Sequence, residues 1–333
     1  MIITRTPFRM SFFGGGTDYP AWYAEHGGAV LATSINKYCY ITCRHLPPFF
    51  EHKHRIVHSL IENVRSIEEI KHPAVRAILA WARCERGLEI HHDGDLPARS
   101  GLGSSSSFTV GLLHALAALE GQYASKEYLA SNAIHVEQNV IGENVGSQDQ
   151  VSAAYGGFNL IEFHRNGSFT ASPVILRQER LAEFESHLML CFTGFSRIAS
   201  EVAKSQIANL HERQAQLHRM RGMVDEAIAI LQSNNTPIEE IGKLLHESWQ
   251  CKRSLSDKVS TSDIDYLYQE AVKAGAIGGK IMGAGGGGFM MLFVKPELQP
   301  IVRERLKHLI HVPFKFEDGG SRVVMYQPNG LSS

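Results

Sequence analysis

The stretch from 95 to 113 reads DLPARSGLGSSSSFTVGLL, a run of small residues leading straight into an apolar segment. Gly101 and Gly103 let the backbone turn tightly and come close to a ligand. A helix starting after them presents unpaired N–H groups and a partial positive charge. Such an arrangement binds anions, a nucleotide's phosphates being the simplest case. The pattern G-x-x-x-x-G-K-[ST] is absent, so no lysine stands in the P-loop position. Serine hydroxyls, backbone amides and a metal ion must supply what that lysine supplies elsewhere. Alone, such a loop could equally be a linker or a Ser-rich N-cap.

Two more Gly-rich segments shift that balance: PFRMSFFGGGTDY over 7–19 and GGKIMGAGGGGFMMLF over 278–293. A further segment, HVEQNVIGENVGSQDQVSAAYGG over 135–157, places Glu137 and Asp149 twelve positions apart. Local patterning predicts the elements that hold these segments. A strand over 2–13 runs into the first glycine cluster, and 28–44 reads as one or two strands. Helices are expected over 73–86, 108–120 and 126–142, the last with Ser125 as N-cap. Strands are expected over 88–92, 158–163 and 188–192. Helices follow over 200–232, 238–255 and 262–274, the last capped near Ser262 or Asp263. The third glycine segment reads as a strand pair joined by a turn over 280–293. A helix over 300–310 and a strand over 323–326 close the chain. Strict βαβ alternation is missing, so the class is α+β. A lobe boundary is expected between 163 and 188, where HRNGSFTASP intervenes.

Composition narrows the partners. With 333 residues, 44% hydrophobic and 20% charged, the chain resembles an ordinary globular protein of one large or two moderate domains. A formal net charge of −1 suggests neither nucleic acid nor an anionic membrane as partner. No apolar run is long enough to span a bilayer, and the N-terminus lacks the features of a signal peptide. The five cysteines are an odd number without paired C-x-x-C spacing, which fits a reducing cytoplasm. Among 17 histidines, His52 and His54, and the pair His91–His92, lack clustered Cys or carboxylate partners; exposed loop or strand positions explain them better than metal.

The three glycine segments, in this order and at these separations, resemble the GHMP kinase superfamily (galactokinase, homoserine, mevalonate and phosphomevalonate kinases). The resemblance runs from Pro7 to beyond Phe293. It implies a two-lobed fold, an N-terminal ribosomal-protein-S5-like lobe over 1–170 and a C-terminal ferredoxin-like lobe over 171–333, with the site between them. It implies ATP and Mg²⁺ as cofactors. Gly101, Leu102, Gly103, Ser104, Ser105 and Ser106 would contact the nucleotide. Ser105 would help hold Mg²⁺, with Ser104 or Ser106 as alternatives, and Glu137 would be the carboxylate ligand, with Glu143 as runner-up. Asp149 would accept or orient the acceptor's proton. Arg9 would lower the pKa of the acceptor hydroxyl or catalytic acid and stabilise charge in the transition state. Gly15, Gly16, Thr17 and Asp18 would line the acceptor, as would Gly285 and Gly286 of the third segment. One departure matters: Gly14, Gly15 and Gly16 form GGGTD where galactokinases have G-E-H-T-D, which argues against galactose itself.

Within the superfamily the chain resembles the bacterial D-glycero-D-manno-heptose 7-phosphate kinases. The carrying segments are TPFRMSFFGGGTDYP, ATSINKY, LPARSGLGSSSSFTVGLLHAL, NVGSQDQVSAAYGG, FTGFSRIAS and GAIGGKIMGAGGGGF. That resemblance implies phosphorylation of the anomeric oxygen, giving a 1,7-bisphosphate for GDP-heptose and surface-glycan synthesis. A phosphorylated acceptor needs a cation away from the reacting carbon. Arg197, beside Thr193, Gly194 and Ser196, suits that task, with Lys37 and Lys204 as secondary candidates. A kinase of fucose, galactose or a mevalonate-type alcohol, and a non-catalytic ATP-binding regulator, stay open as alternatives. So does the oligomeric state, a homodimer included.

Overall fold

The first strand, β1 (Ile2–Phe13), alternates buried and half-buried residues to Arg5 and is buried throughout from Thr6 on. The change marks where covering elements close over both faces of the strand. The computed structural model describes residues 1–98, 100–194 and 199–328. After β1 come α1 (Pro20–His26), β2 (Gly28–His45), β3 (His54–Val57), β4 (Ile61–Val64), α2 (Pro73–Trp81) and β5 (Leu88–Gly94). Helices α3 (Ser104–Leu119) and α4 (Lys126–His135) follow, then a π-helical turn at Val136–Ile141 and α5 (Gln148–Tyr155). Next are β6 (Phe158–Phe163), β7 (Phe169–Pro173), α6 (Gln178–Ser186), β8 (Leu188–Phe192), α7 (Ala199–Ala208), α8 (Gln214–Gln232), α9 (Glu239–Arg253) and α10 (Ser262–Lys273). The chain closes with β9 (Ala276–Ile281), β10 (Phe289–Val294), α11 (Gln299–Arg305), β11 (Ile310–His311), β12 (Phe316–Glu317) and β13 (Arg322–Tyr326).

The fold is α+β, built among the described residues on two sheets. One has nine strands along the order β13-β1-β2-β5-β3-β4, with β6 and β12 also pairing with the long β2 and β7 pairing with β6. The other has four strands in the order β11-β8-β10-β9. Strands β12 and β13 therefore return to the sheet in which the chain began. Phe12, Phe158, Phe184 and Phe316 cluster in T-shaped and tilted contacts where β1, β6, α6 and β12 meet, with ring centroids 5.0–6.1 Å apart. Contacts of that geometry add to the area the rings bury.

Two packing details place the site. Helix α3 is apolar on nearly every side and is buried on nearly every side. It lies close on β1, where Thr4 donates to the Gly111 carbonyl at 2.9 Å. Helix α9 touches β9 directly: a Cβ on Gly278 would lie 2.0 Å from the Gly242 carbonyl oxygen. That close approach carries the far end of α9 to the loop between β9 and β10.

Several elements differ from the sequence expectation. Helix α2 ends at Trp81 because Arg83 takes a left-handed conformation, with φ 52°, just past the helix end. Helix α3 begins inside the serine run, four residues before the expected start, so the serines form its first turn. The expected helix over 126–142 is α4, capped by Ser125 as anticipated, and then the π-turn. The single long helix expected over 200–232 is two, α7 and α8. The cap of α10 is Thr261 rather than Ser262 or Asp263. His54 is buried in β3 rather than exposed, and its Nδ1 accepts from the Leu88 amide at 3.3 Å. Among the described residues no group of three His, Cys, Asp or Glu could hold a metal, and no helix is long and apolar enough to cross a membrane.

Candidate active site

The three glycine segments meet at one cavity of about 240 Å³. Gly101 and Gly103 both have positive φ, 84° and 76°, and their turn delivers the chain into α3 with Gly103 as an N-cap that has no side chain to offer. The third segment crosses directly behind. A Cβ on Gly283 would lie 2.6 Å from the Gly101 Cα, and one on Gly288 would lie 2.2 Å from the Ser100 carbonyl oxygen. The Phe289 amide donates to that same Ser100 carbonyl at 3.1 Å. Backbone therefore rests on backbone here, and any side chain would force the crossing apart.

Arg9, on β1, is buried and forms a two-pronged pair with Asp149 in the first turn of α5. Its Nε donates to Oδ1 and its Nη2 to Oδ2, each at 2.8 Å. Its Nη1 donates to the Gly101 carbonyl at 2.6 Å. One guanidinium thus ties the phosphate-loop glycine to the carboxylate, in the planar fork geometry that favours arginine. Gly103 lies against both: a Cβ there would come within 3.2 Å of the Arg9 stem and 3.5 Å of the Asp149 carboxylate.

Asp18 is a second carboxylate in the cavity, only 2% exposed. It accepts from the Gly16 amide at 2.8 Å and from the Gln148 side-chain amide at 2.9 Å. Burial raises its pKa above the ordinary carboxylate range, the Gly16 hydrogen bond opposes that, and the charge of Asp149 adds to it. Gly146 packs so tightly that a Cβ would lie 1.9 Å from the Asp18 Oδ2.

Glu137 sits in the π-turn behind the first turn of α3, 1% exposed. The hydroxyl that reaches it belongs to Ser106, at 2.9 Å, while Ser105 is exposed on the cavity wall. Gln150 also donates to Oε2, and Oε1 has no partner although it is buried. Burial pushes the carboxyl up to about 7, the Thr109 and Ser106 hydroxyls and the Gln150 amide oppose the rise, and Glu143 adds to it. An unpaired buried carboxylate oxygen beside a serine hydroxyl is a hard-oxygen donor set. It fits a small divalent cation that takes its remaining ligands from phosphates and water. Glu143 lines the cavity itself.

Other expected residues fall elsewhere. Thr17 donates to the Gly14 and Ala29 carbonyls at 2.8 and 3.0 Å and shapes the turn from beneath. Leu102 is fully buried, its carbonyl taking the Arg9 amide at 3.0 Å. Gly285 and Gly286 face Val259, whose carbonyl accepts from the Gly286 amide at 2.8 Å; Gly283 and Ala284 line the cavity in their place. Gly15 and Gly16 do line it, whereas Lys37 and Lys204 do not. Arg197 and Ser196 lie outside the described residues.

The sequence reading missed Gln148, Lys252 and Lys280. Lys280, on β9, is buried and donates to the Ser11 and Phe12 carbonyls at 2.9 and 3.0 Å. Burial first, then Lys252 and Arg9, hold its pKa well below the usual lysine value. It stands inside the quoted GGKIMG segment, so the signal was visible. Gln148 likewise neighbours Asp149. Nothing in the QCKR end of a charged helix singles out Lys252.

Comparison with known proteins bears on the reading. Residues 68–157 match the GHMP kinases N terminal domain and residues 229–310 match the GHMP kinases C terminal domain. The chain is 28% identical over 308 residues to the D-glycero-alpha-D-manno-heptose 7-phosphate kinase of Campylobacter jejuni, covering 89% of this chain and 90% of that protein. It is 30% identical over 246 residues to the mevalonate kinase of Thermococcus onnurineus, covering 71% of this chain and 69% of that protein. The crystal structure of a D-glycero-D-manno-heptose 1-phosphate kinase from Bacteroides thetaiotaomicron shares the fold, with a TM-score of 0.79 at 24% identity over 98% of this chain and 99% of that one.

Proposed function

The chain belongs to the GHMP kinases, and on that premise we propose that it transfers the γ-phosphoryl group of ATP to the anomeric O1 of D-glycero-D-manno-heptose 7-phosphate. The observation that carries the chemistry is the Arg9–Asp149 pair tied to the Gly101 carbonyl, in one cavity with Asp18.

Phosphoryl transfer asks mainly for positioning and for charge stabilisation. The Gly101–Ser106 loop and the start of α3 receive the phosphates through backbone amides and hydroxyls. Asp18, itself held by Gly16 and Gln148, accepts hydrogen bonds from sugar hydroxyls. Asp149 takes the proton from the O1 hydroxyl as that oxygen attacks the γ-phosphorus. The bond from that phosphorus to the β–γ bridging oxygen breaks, and ADP leaves with the electron pair. Arg9 fixes the Asp149 carboxylate and places positive charge beside the reacting oxygens. Glu137 and Ser106 would hold Mg²⁺. When bound, the ion would neutralise phosphate charge. Arg197 would meet the acceptor's own phosphate.

The proposed units are 1–170 and 171–333, with β12 and β13 crossing back into the sheet of the first. The similarity to the Campylobacter jejuni enzyme over nine-tenths of its length supports the heptose phosphate as acceptor. The 1,7-bisphosphate would then feed GDP-heptose synthesis. An ADP-release assay with Mg-ATP and heptose 7-phosphate, mannose, galactose, fucose or mevalonate tests this. Release confined to the heptose phosphate is expected. Equal release with an unphosphorylated hexose would sink the assignment of acceptor while leaving the kinase fold.

A further inference from the structure

Lys252 ends α9 inside the same cavity as Arg9, Asp149 and the phosphate-loop glycines. It is 4% exposed. Its Nζ donates to the Gly283 carbonyl. Gly283 rests against Gly101, and Gly101's carbonyl takes the Arg9 guanidinium. Two cations therefore grip the two chains of one backbone crossing, and that crossing is the floor of the phosphate loop.

Burying an ammonium is costly, and one neutral carbonyl does not compensate it. The nearby carboxylates are already engaged, Asp149 by Arg9 and Asp18 by Gly16 and Gln148. Among the described residues no ion pair joins Lys252 to either of them. The charged groups acting on Lys252 are Arg9 from β1, Asp18 from the turn after it, Asp149 from α5 and Lys280 from β9. A lysine is a compact charge with rotatable donors on a flexible stem, able to move from a carbonyl to an anion within reach.

We infer that Lys252 is a further catalytic residue of this site, whose ammonium donates to the non-bridging oxygens of the phosphoryl group in transit. The inference rests on the phosphotransfer reading above. It explains the burial: the missing counter-charge is the substrate's. Burial first, with Arg9 adding, pulls the ammonium's pKa down to about 8, while Asp18 and Asp149 oppose the fall. The group is therefore charged at neutral pH and loses its proton as pH rises through about 8.

The test uses the full chain carrying Lys252→Met or Lys252→Arg, with Mg-ATP and heptose 7-phosphate. For the Met variant kcat should fall by about 100-fold or more. Its ADP affinity should stay within about threefold of wild type, and its melting temperature should hold or rise, since a buried charge is gone. Wild-type kcat/KM for Mg-ATP should decline as pH rises through about 8, and the Arg variant should lack that decline. A near-normal kcat in the Met variant would overturn the inference. So would a defect confined to KM for the sugar phosphate, which would assign Lys252 to the acceptor's own phosphate. If the Met variant does not fold, an alkaline decline surviving in the Arg variant overturns it alone. Absence of wild-type turnover with every acceptor would instead remove the proposed function, and this inference with it.

Discussion

Glu137→Gln separates the electrostatic cost of this site from its use. Glu137 is 1% exposed, and its carboxyl titrates at about 7 against an ordinary 4.5. Below the lower value both folded and unfolded chains hold the proton, so the group costs nothing. Between the two values the unfolded chain ionises first and stability falls as pH rises. Above about 7 the whole cost is present, about 3 kcal/mol for this difference. A glutamine keeps the size and an acceptor oxygen but cannot ionise. Urea unfolding of the ligand-free protein at about pH 5 and about pH 8 reads the effect. Wild type should lose stability relative to the variant between the two, by about 2.5 kcal/mol, since a little of the cost is already present at about pH 5. The variant should show no such loss from this position. Mg-nucleotide should reverse the ranking, because a cation favours the ionised carboxylate and its binding at about pH 6 should release a proton in wild type alone. Parallel pH dependence in the two proteins would refute the reasoning, showing that Glu137 is not the buried acid described.

Four further outcomes are expected. Asp149→Asn should lower kcat by about 10²–10⁴ while ADP binding measured by calorimetry persists, because Asn accepts no proton. Gly146→Ala pushes a methyl against the Asp18 carboxylate, 1.9 Å away as built, and should raise KM for the acceptor more than for ATP. Gly101→Ala places a Cβ 2.5 Å from the Met282 carbonyl at a φ of 84°, and denaturant titration should show a loss of more than about 1 kcal/mol. Arg197→Ala should weaken phosphorylated acceptor and leave ATP binding unchanged in equilibrium measurements.

Much of this arrangement was legible in the chain because it is local. Glycines that the backbone requires announce themselves, and β1, β6 and β8 have the bounds their patterning predicts. What was not legible depends on distant parts of the fold. Four consecutive serines are equivalent in sequence; only the phase of α3 turns Ser106 inward to Glu137 and leaves Ser105 outside. Gly285 and Gly286 look like ligand-facing glycines, yet they serve the contact with Val259. Lys252 reads as one charge among many on a polar helix, and its burial depends on α9 lying against β9 through Gly242 and Gly278. The break between α7 and α8 is equally invisible, since the residues between them keep helical composition.

The central claim is that the Arg9–Asp149 pair directs phosphoryl transfer to the anomeric oxygen of a heptose 7-phosphate. Phosphorus NMR of the product formed from that sugar and Mg-ATP tests it most directly, run side by side with wild type and Asp149→Asn. The account predicts a second sugar phosphate resonance coupled to the anomeric proton with wild type, and none above background with the variant. A phosphate appearing on another carbon, or the same product forming equally fast with the variant, would contradict it.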